Sequence, residues 1–390
     1  MNYAFAERVN HMESSAIREI LKVAESPDVI SLAGGLPAPE LFPIQEIQEA
    51  YNHVLGANDP SVLQYSTTEG YLPLREDIAE KMKEKGMHVS PDNILLTNGS
   101  QQGLDLIAKL FINPGDLIAV EDPTYLGAIQ TFYSYQANFL TVPTDKEGIN
   151  VDALETAIKL QQPKLIYLTP TYKNPTGVTL SLERRQHLAK ILAKYNIPLI
   201  EDDPYGELRY SGPVIQPVKS FDTAERIIYL GTFSKTIAPG LRLGWVVASK
   251  EIIAKLVLAK QGTDLHTGTL LQRTTHYYLN NSQIEKHIET IRQEYGHRRD
   301  IMLKELKANF SGEVSWTEPS GGMFLWVSLP EHFNTVSLLP KAVEAKVAYV
   351  PGAPFYAKGG GLNTLRLNFS NSSPLQIQEG IKRLAQLFNK

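Results

Sequence analysis

The chain predicts an α/β protein, a mostly parallel sheet flanked by helices, with a smaller α+β part following it. Two observations carry this. Short apolar runs at residues 93–97, 117–120, 164–169, 198–201, 226–230 and 244–248 alternate with helix-period stretches at 101–111, 151–158 and 181–195. That alternation is the mark of strands joined by crossover helices. After about Gly262 the pattern changes: a long amphipathic segment, 283–310, precedes shorter strand-like runs at 323–328, 348–351 and 364–369 and a last helical stretch, 374–388. Ligands of open α/β sheets bind at the carboxyl ends of the strands, so the residues just beyond each run are the candidates for chemistry.

Two helices are well punctuated. Pro73 opens one that buries Leu74, Ile78 and Met82 at helical spacing, and Gly86 stops it. Ser181 caps the other; Leu188, Ile191 and Leu192 face inward, and Glu183, Arg184 and Arg185 are expected to form a solvated face. No internal repeat or long linker interrupts the chain.

Of the 390 residues, 43% are hydrophobic and 21% charged, ordinary for a globular protein with a substantial core. A formal net charge of −4 gives no electrostatic reason to expect nucleic acid or an anionic membrane as partner. With no cysteine present, disulfides, thiolate nucleophiles, iron–sulfur clusters and cysteine-ligated zinc are excluded. Nine histidines lie scattered without a His-Glu-x-x-His run, so no metal is expected. Neither G-x-G-x-x-G nor a P-loop supports nicotinamide or nucleoside triphosphate chemistry. The first residues hold no continuous apolar segment of a signal peptide, and no stretch approaches the roughly 18 apolar residues of a spanning helix. A soluble, cytoplasmic protein is the expectation.

Lys235 is the most informative residue. It ends the run Ile227-Ile228-Tyr229-Leu230-Gly231-Thr232-Phe233-Ser234-Lys235, a poor place for an ordinary solvated charge, and Arg242 follows in Pro239-Gly240-Leu241-Arg242. Hydroxyls on Thr232 and Ser234 with a nearby arginine suit a phosphate. An amine beside a phosphate site is what a pyridoxal phosphate enzyme requires. Other strand ends agree. Asn98-Gly99-Ser100-Gln101 joins a strand to a helix whose N-terminus attracts anions. Tyr125 follows the run ending at Val120, where an aromatic ring can stack on a flat cofactor. Asn174 stands in the turn Asn174-Pro175-Thr176-Gly177. Glu201-Asp202-Asp203-Pro204-Tyr205 ends a strand in acid, and a carboxylate there keeps a pyridine nitrogen protonated. Arg366, inside the run Leu365-Arg366-Leu367, offers a planar fork for a carboxylate. Each motif alone has a bland alternative: a surface lysine, an N-cap serine, a core tyrosine, a solvated acidic turn, an edge-strand arginine.

In this order, from Ile30 to Phe369, the segments resemble the fold-type-I pyridoxal phosphate enzymes, specifically class I/II aminotransferases of the aspartate aminotransferase-like fold. Ser31-Leu32-Ala33-Gly34-Gly35-Leu36-Pro37, Leu63-Gln64-Tyr65 and Pro351-Gly352 narrow this to the 2-aminoadipate/kynurenine aminotransferase subgroup. The resemblance implies a large pyridoxal phosphate-binding domain, 46–274, with a seven-stranded sheet, and a small domain of 1–45 with 275–390. It implies Lys235 as the Schiff-base lysine, Asp202 as partner of the pyridinium, Tyr205 on the phenolic oxygen and Tyr125 stacked on the ring. Phosphate ligands would be Ser100, Gln101, Thr232, Ser234 and Arg242, with Tyr65 reaching the neighbouring subunit's phosphate in a homodimer. Asn174 and Arg366 would hold the substrate carboxylate near Gly35, and Arg18, on a mobile N-terminal arm, would meet an acidic side chain.

Transamination from an L-amino acid (2-aminoadipate, aromatic or branched-chain) to a 2-oxo acid such as 2-oxoglutarate is the expected reaction. A β-lyase would use the same lysine and electron sink. A catalytically silent pyridoxal phosphate-sensing regulator would need a DNA-binding module, and no basic helix-turn-helix is found among the thirty or so residues before Gly34.

Overall fold

The computed structural model describes residues 3–11, 28–310 and 312–389; Arg18 lies outside them. Strand β1 (Ile30–Ser31) precedes eight strands of one sheet: β2 (Ile94–Thr97), β3 (Leu117–Asp122), β4 (Asn138–Asp145), β5 (Gly148–Ile149), β6 (Leu165–Leu168), β7 (Leu199–Asp202), β8 (Ile227–Thr232) and β9 (Gly244–Val247). Their spatial order is β2-β9-β8-β7-β6-β3-β4-β5. The run β8-β7-β6-β3-β4 is parallel throughout. Strand β9 is antiparallel to both its neighbours, and β5 closes a hairpin on β4.

Seven of these strands are the expected sheet, and two-residue β5 adds an eighth at its edge. The apolar runs located six of them and missed β4. Its sequence, Asn-Phe-Leu-Thr-Val-Pro-Thr-Asp, is half polar and carries Pro143, which a strand near a sheet edge tolerates. The fully buried strands β2, β6, β8 and β9 read as largely apolar runs because helices cover both faces, and buried β7 ends in Glu201 and Asp202.

One face of the sheet packs on the helix Ser100–Phe111 through Leu104, Ile107 and Ala108. The other packs on Val151–Leu160 and Leu182–Tyr195. Ser181 caps the latter, its side chain accepting from the backbone N–H of Arg184. Arg185 corrects the expected solvated face. It is buried, three and seven residues before Leu188 and Leu192 on the inward stripe. Its guanidinium donates to the carbonyls of Leu180, Pro170 and Gln216 and to Thr171 Oγ1, which satisfies the buried charge.

The C-terminal part holds β10 (Ser315–Trp316), β11 (Phe324–Ser328), β12 (Val347–Ala348), β13 (Val350–Pro351) and β14 (Thr364–Asn368). Four of them form an antiparallel sheet ordered β10-β11-β14-β13. Helices Ile284–Asn309 and Pro374–Phe388 pack against each other. Strand β1 pairs with β12, Ile30 opposite Val347, and Leu32 joins the core of this part. The helix Thr269–Asn281 runs unbroken through the expected boundary at 274 and packs against Ile44–Gly56 and Leu72–Glu84.

Candidate active site

Topology brings the sequence motifs to one edge of the large sheet. Strands β2, β3, β6, β7 and β8 deliver the residues that follow them. Antiparallel β9 delivers the residues that precede it, because Gly244 sits opposite both Thr97 and Thr232. That is why Arg242 stands before its strand and Lys235 after its own.

Between this edge and the smaller sheet lies a cavity of about 320 Å³. Lys235, Asp202, Tyr205, Tyr125, Asn174, Arg366, Gly35, Ser100, Gln101, Thr232, Ser234 and Arg242 all line it. Lys235 Nζ donates to the Gly35 carbonyl at 3.0 Å. Burial, then the positive charges of Arg366 and Arg242, lower its pKa from 10.5 to about 8.

Asp202 ends β7. Its Oδ2 accepts from Tyr167 Oη at 2.7 Å, while Oδ1 is buried without a partner. Burial raises its pKa from 3.8 to about 7 against the lowering effect of the Tyr167 bond, and Asp203 adds to the rise. The neighbouring acids are engaged elsewhere. Glu201 accepts from the backbone N–H groups of Val218 and Lys219, and Asp203 accepts from Tyr229 and Lys85. Only Asp202 of the three lines this cavity.

Arg366, in β14, is buried. Its Nη1 donates to Asn174 Oδ1 and its Nη2 to the Ala33 carbonyl, both at 2.8 Å; Nε has no partner. The guanidinium lies 4.2 Å from the ring centre of Phe324 and 5.3 Å from that of Phe355. Burial lowers its pKa to about 10, so it stays charged near neutrality. Tyr205 hydrogen-bonds Asn174, and burial raises its pKa. Burial also raises that of Tyr125.

The phosphate-like corner is built by backbone. No side chain caps the helix Ser100–Phe111; in its first turn the Gln102 N–H bonds back to the Gly99 carbonyl at 3.2 Å, which leaves the N–H groups of Ser100 and Gln101 to face an anion. Gly99 takes φ +78°, and a Cβ on it would come within 2.5 Å of Arg242 Nη2; glycine here lets the arginine close over the turn. Thr232 Oγ1 and Ser234 Oγ lie 2.9 Å apart. Gln101 Nε2 donates to Thr131 Oγ1.

Tyr65 stands apart from the cavity in the single chain. It is 79% exposed, its ring edge-on to His266 at 5.9 Å. Sequence reasoning missed Tyr167, whose strand reads simply as core, and the buried pair Lys173–Glu121 at 3.1 Å beside Asn174. Among the described residues no His, Asp and Glu cluster could hold a metal ion, and no helix is long and apolar enough to cross a membrane.

The family model for aminotransferases of class I and II matches residues 27–384. The chain belongs to this family. It is 48% identical over 390 residues to aromatic-amino-acid aminotransferase 1 of Thermococcus litoralis, covering 98% of this chain and 93% of that one. It is 42% identical to the 2-aminoadipate transaminase of Thermus thermophilus, covering 98% and 96%. The kynurenine aminotransferase of Pyrococcus horikoshii, crystallised in complex with PMP, superposes with a TM-score of 0.95 at 44% identity, covering 99% and 96%. The chain is thus a pyridoxal phosphate-dependent transaminase of the expected fold and subgroup. Its residues fit that cofactor. A buried carboxylate oxygen without a partner awaits a protonated ring nitrogen, and an uncapped helix turn beside Arg242 suits a phosphate.

Proposed function

We propose that this aminotransferase takes its amino group from aromatic L-amino acids and 2-aminoadipate, with branched-chain amino acids as further donors, and passes it to 2-oxoglutarate. The names carried by the relatives at 48% and 42% identity support the first two donor classes. The observation that carries the site assignment is the convergence of Lys235, unpartnered Asp202 Oδ1 and unpartnered Arg366 Nε on one cavity.

In this reading Ser100, Gln101, Thr232, Ser234 and Arg242 hold the cofactor phosphate, and Tyr65 of a second copy completes that corner in a homodimer. Tyr125 stacks on the ring, Tyr205 donates to the phenolic oxygen, and Asp202 keeps the ring nitrogen protonated. Pyridoxal phosphate, when bound, supplies the sink for the electron pair left at the substrate's Cα. Arg366 grips the substrate α-carboxylate with its fork, aimed by Asn174 and by the aromatic rings of Phe324 and Phe355. Lys235 would be the point of covalent attachment, and its amine, when free, would move the proton at the substrate's Cα. A lysine with pKa near 8 is partly neutral at physiological pH and can act as that base. Arg18 is assigned to acidic side chains. The large part, 46 to the end of the 269–281 helix, carries the cofactor, and the rest forms the small part.

The test is a half-reaction. L-2-Aminoadipate or phenylalanine, added to the pyridoxal phosphate-loaded protein without an oxo acid, is expected to remove the visible cofactor band and yield pyridoxamine phosphate. A band that persists with both sinks the substrate assignment; pyruvate and ammonia from a β-substituted substrate point to elimination instead.

A further inference from the structure

Behind the phosphate corner, away from the cavity, four polar side chains form a closed network. Lys260 is fully buried near the end of the helix Lys250–Gln261. Its Nζ donates to both oxygens of Asp264 at 2.9 Å and to Gln102 Oε1 at 2.8 Å. Asp264 Oδ2 also accepts from Asn98 Nδ2 at 2.7 Å and from Gln102 Nε2 at 2.6 Å. Gln102 Oε1 accepts the backbone N–H of Asn98 at 2.8 Å. Asn98 is therefore held at both its main chain and its side chain, immediately before Gly99 and the first turn of the helix Ser100–Phe111. None of the four residues lines the cavity.

We infer that Lys260 and Asp264, acting through Asn98 and Gln102, are positioning residues for the phosphate-binding turn. The inference rests on the reading of Ser100, Gln101 and Arg242 as phosphate ligands. The network does two things. It fixes Asn98, so that the left-handed Gly99 and the N–H groups after it are in place before an anion arrives. It also keeps the corner electrostatically open. Asp264 alone would set a negative charge behind a site meant for a dianion, and Lys260 cancels it at 2.9 Å without entering the cavity. Ordinary core packing does not explain a fully buried lysine that satisfies all three of its protons on this turn and its anchor.

The discriminating measurement compares pyridoxal phosphate with pyridoxal, which differ only in the phosphate, for binding to the cofactor-free protein. Lys260→Met removes the neutralising charge; Gln102→Met keeps the ion pair and its direct bond to the Asn98 side chain but removes the acceptor that holds the Asn98 main-chain N–H. Each variant is expected to lower the preference for the phosphorylated form by roughly tenfold or more, the scale of one lost charge-assisted hydrogen bond. Affinity for pyridoxal should stay near that of the unaltered protein, and inorganic phosphate should compete correspondingly less well. Equal losses for both ligands, or an unchanged preference in folded Gln102→Met, overturn the inference. If neither variant folds, the network is a folding element and the positioning role fails. An unaltered protein that does not prefer the phosphorylated form removes the phosphate reading itself, a separate result.

Discussion

Asp202 receives the Tyr167 hydroxyl at 2.7 Å on one carboxylate oxygen and leaves the other buried and unpaired. Burial, with Asp203 adding to it, holds the carboxyl with its pKa near 7. The folded protein therefore binds a proton more tightly at this site than the unfolded chain does. Stability from that proton is full below pH 3.8 and is lost as pH rises from 3.8 through 7.

Asp202→Asn removes this loss. In cofactor-free protein the variant should melt above the unaltered protein by a margin that widens by several degrees from pH 5 to pH 8. Glu201, also raised to about 7 by burial, titrates in both proteins and cancels in the difference. The same variant should bind pyridoxal phosphate more weakly, since a neutral amide gives a ring nitrogen no charge to pair with. Melting curves that keep a constant offset from pH 5 to 8 contradict the assignment of Asp202 as the unpaired acid.

Lys235 gives the opposite pH signature. Its amine attacks only when neutral, and burial beside Arg366 and Arg242 brings that form in near pH 8 instead of 10.5. Capture of pyridoxal by cofactor-free protein should accelerate as pH rises through about 8 and level off above it. Lys235→Ala should abolish covalent capture and lower turnover by about a thousandfold or more. A capture rate still climbing at pH 10 indicates an exposed amine elsewhere.

Much of this site was legible because each residue sits at the end of an apolar run, and parallel strands carry such ends to one edge. Lys235, Asn174 and Tyr125 stand where that rule points, the choice of Asp202 over Glu201 and Asp203 also needed the family resemblance, and Arg242 needed β9 to run the other way. What stayed hidden depends on neighbours across the fold. Tyr167 reads as core until β6 and β7 lie side by side and its hydroxyl meets Asp202. The Lys260–Asp264 pair is an ordinary helical i,i+4 spacing until Asn98 and Gln102 arrive from more than 150 residues away. Arg185 was misread although its spacing from Leu188 and Leu192 marks the inward stripe; a charge outweighed a periodicity. Arm residue Arg18 lies outside the described residues.

Arg366 makes a sharp prediction about binding against turnover. Its two Nη atoms are aimed by Asn174 and Ala33, and its guanidinium lies against the rings of Phe324 and Phe355. Arg366→Lys keeps one positive charge but cannot present a fork. KM for amino acid and for oxo acid should both rise by about a hundredfold, the scale of a lost bidentate pair, with affinity for pyridoxal phosphate within a fewfold. A variant that loses cofactor while holding its substrate KM places Arg366 in the wrong half of the site.

Tyr65 tests the dimer. It is 79% exposed and outside its own chain's cavity, which suits a residue that serves a second copy. Tyr65→Ala and Lys235→Ala should each be nearly inactive as homodimers. In a mixed dimer, the cross-chain arrangement puts both lesions into one site and leaves the other intact. Co-refolding the two inactive variants in equal amounts should then restore about a quarter of full activity, half of the dimers being mixed with one sound site each. If Tyr65 acts within its own chain, every site in the mixture carries a lesion and no activity returns. Recovery on mixing, read against each variant refolded alone, therefore decides which chain's phosphate the hydroxyl reaches.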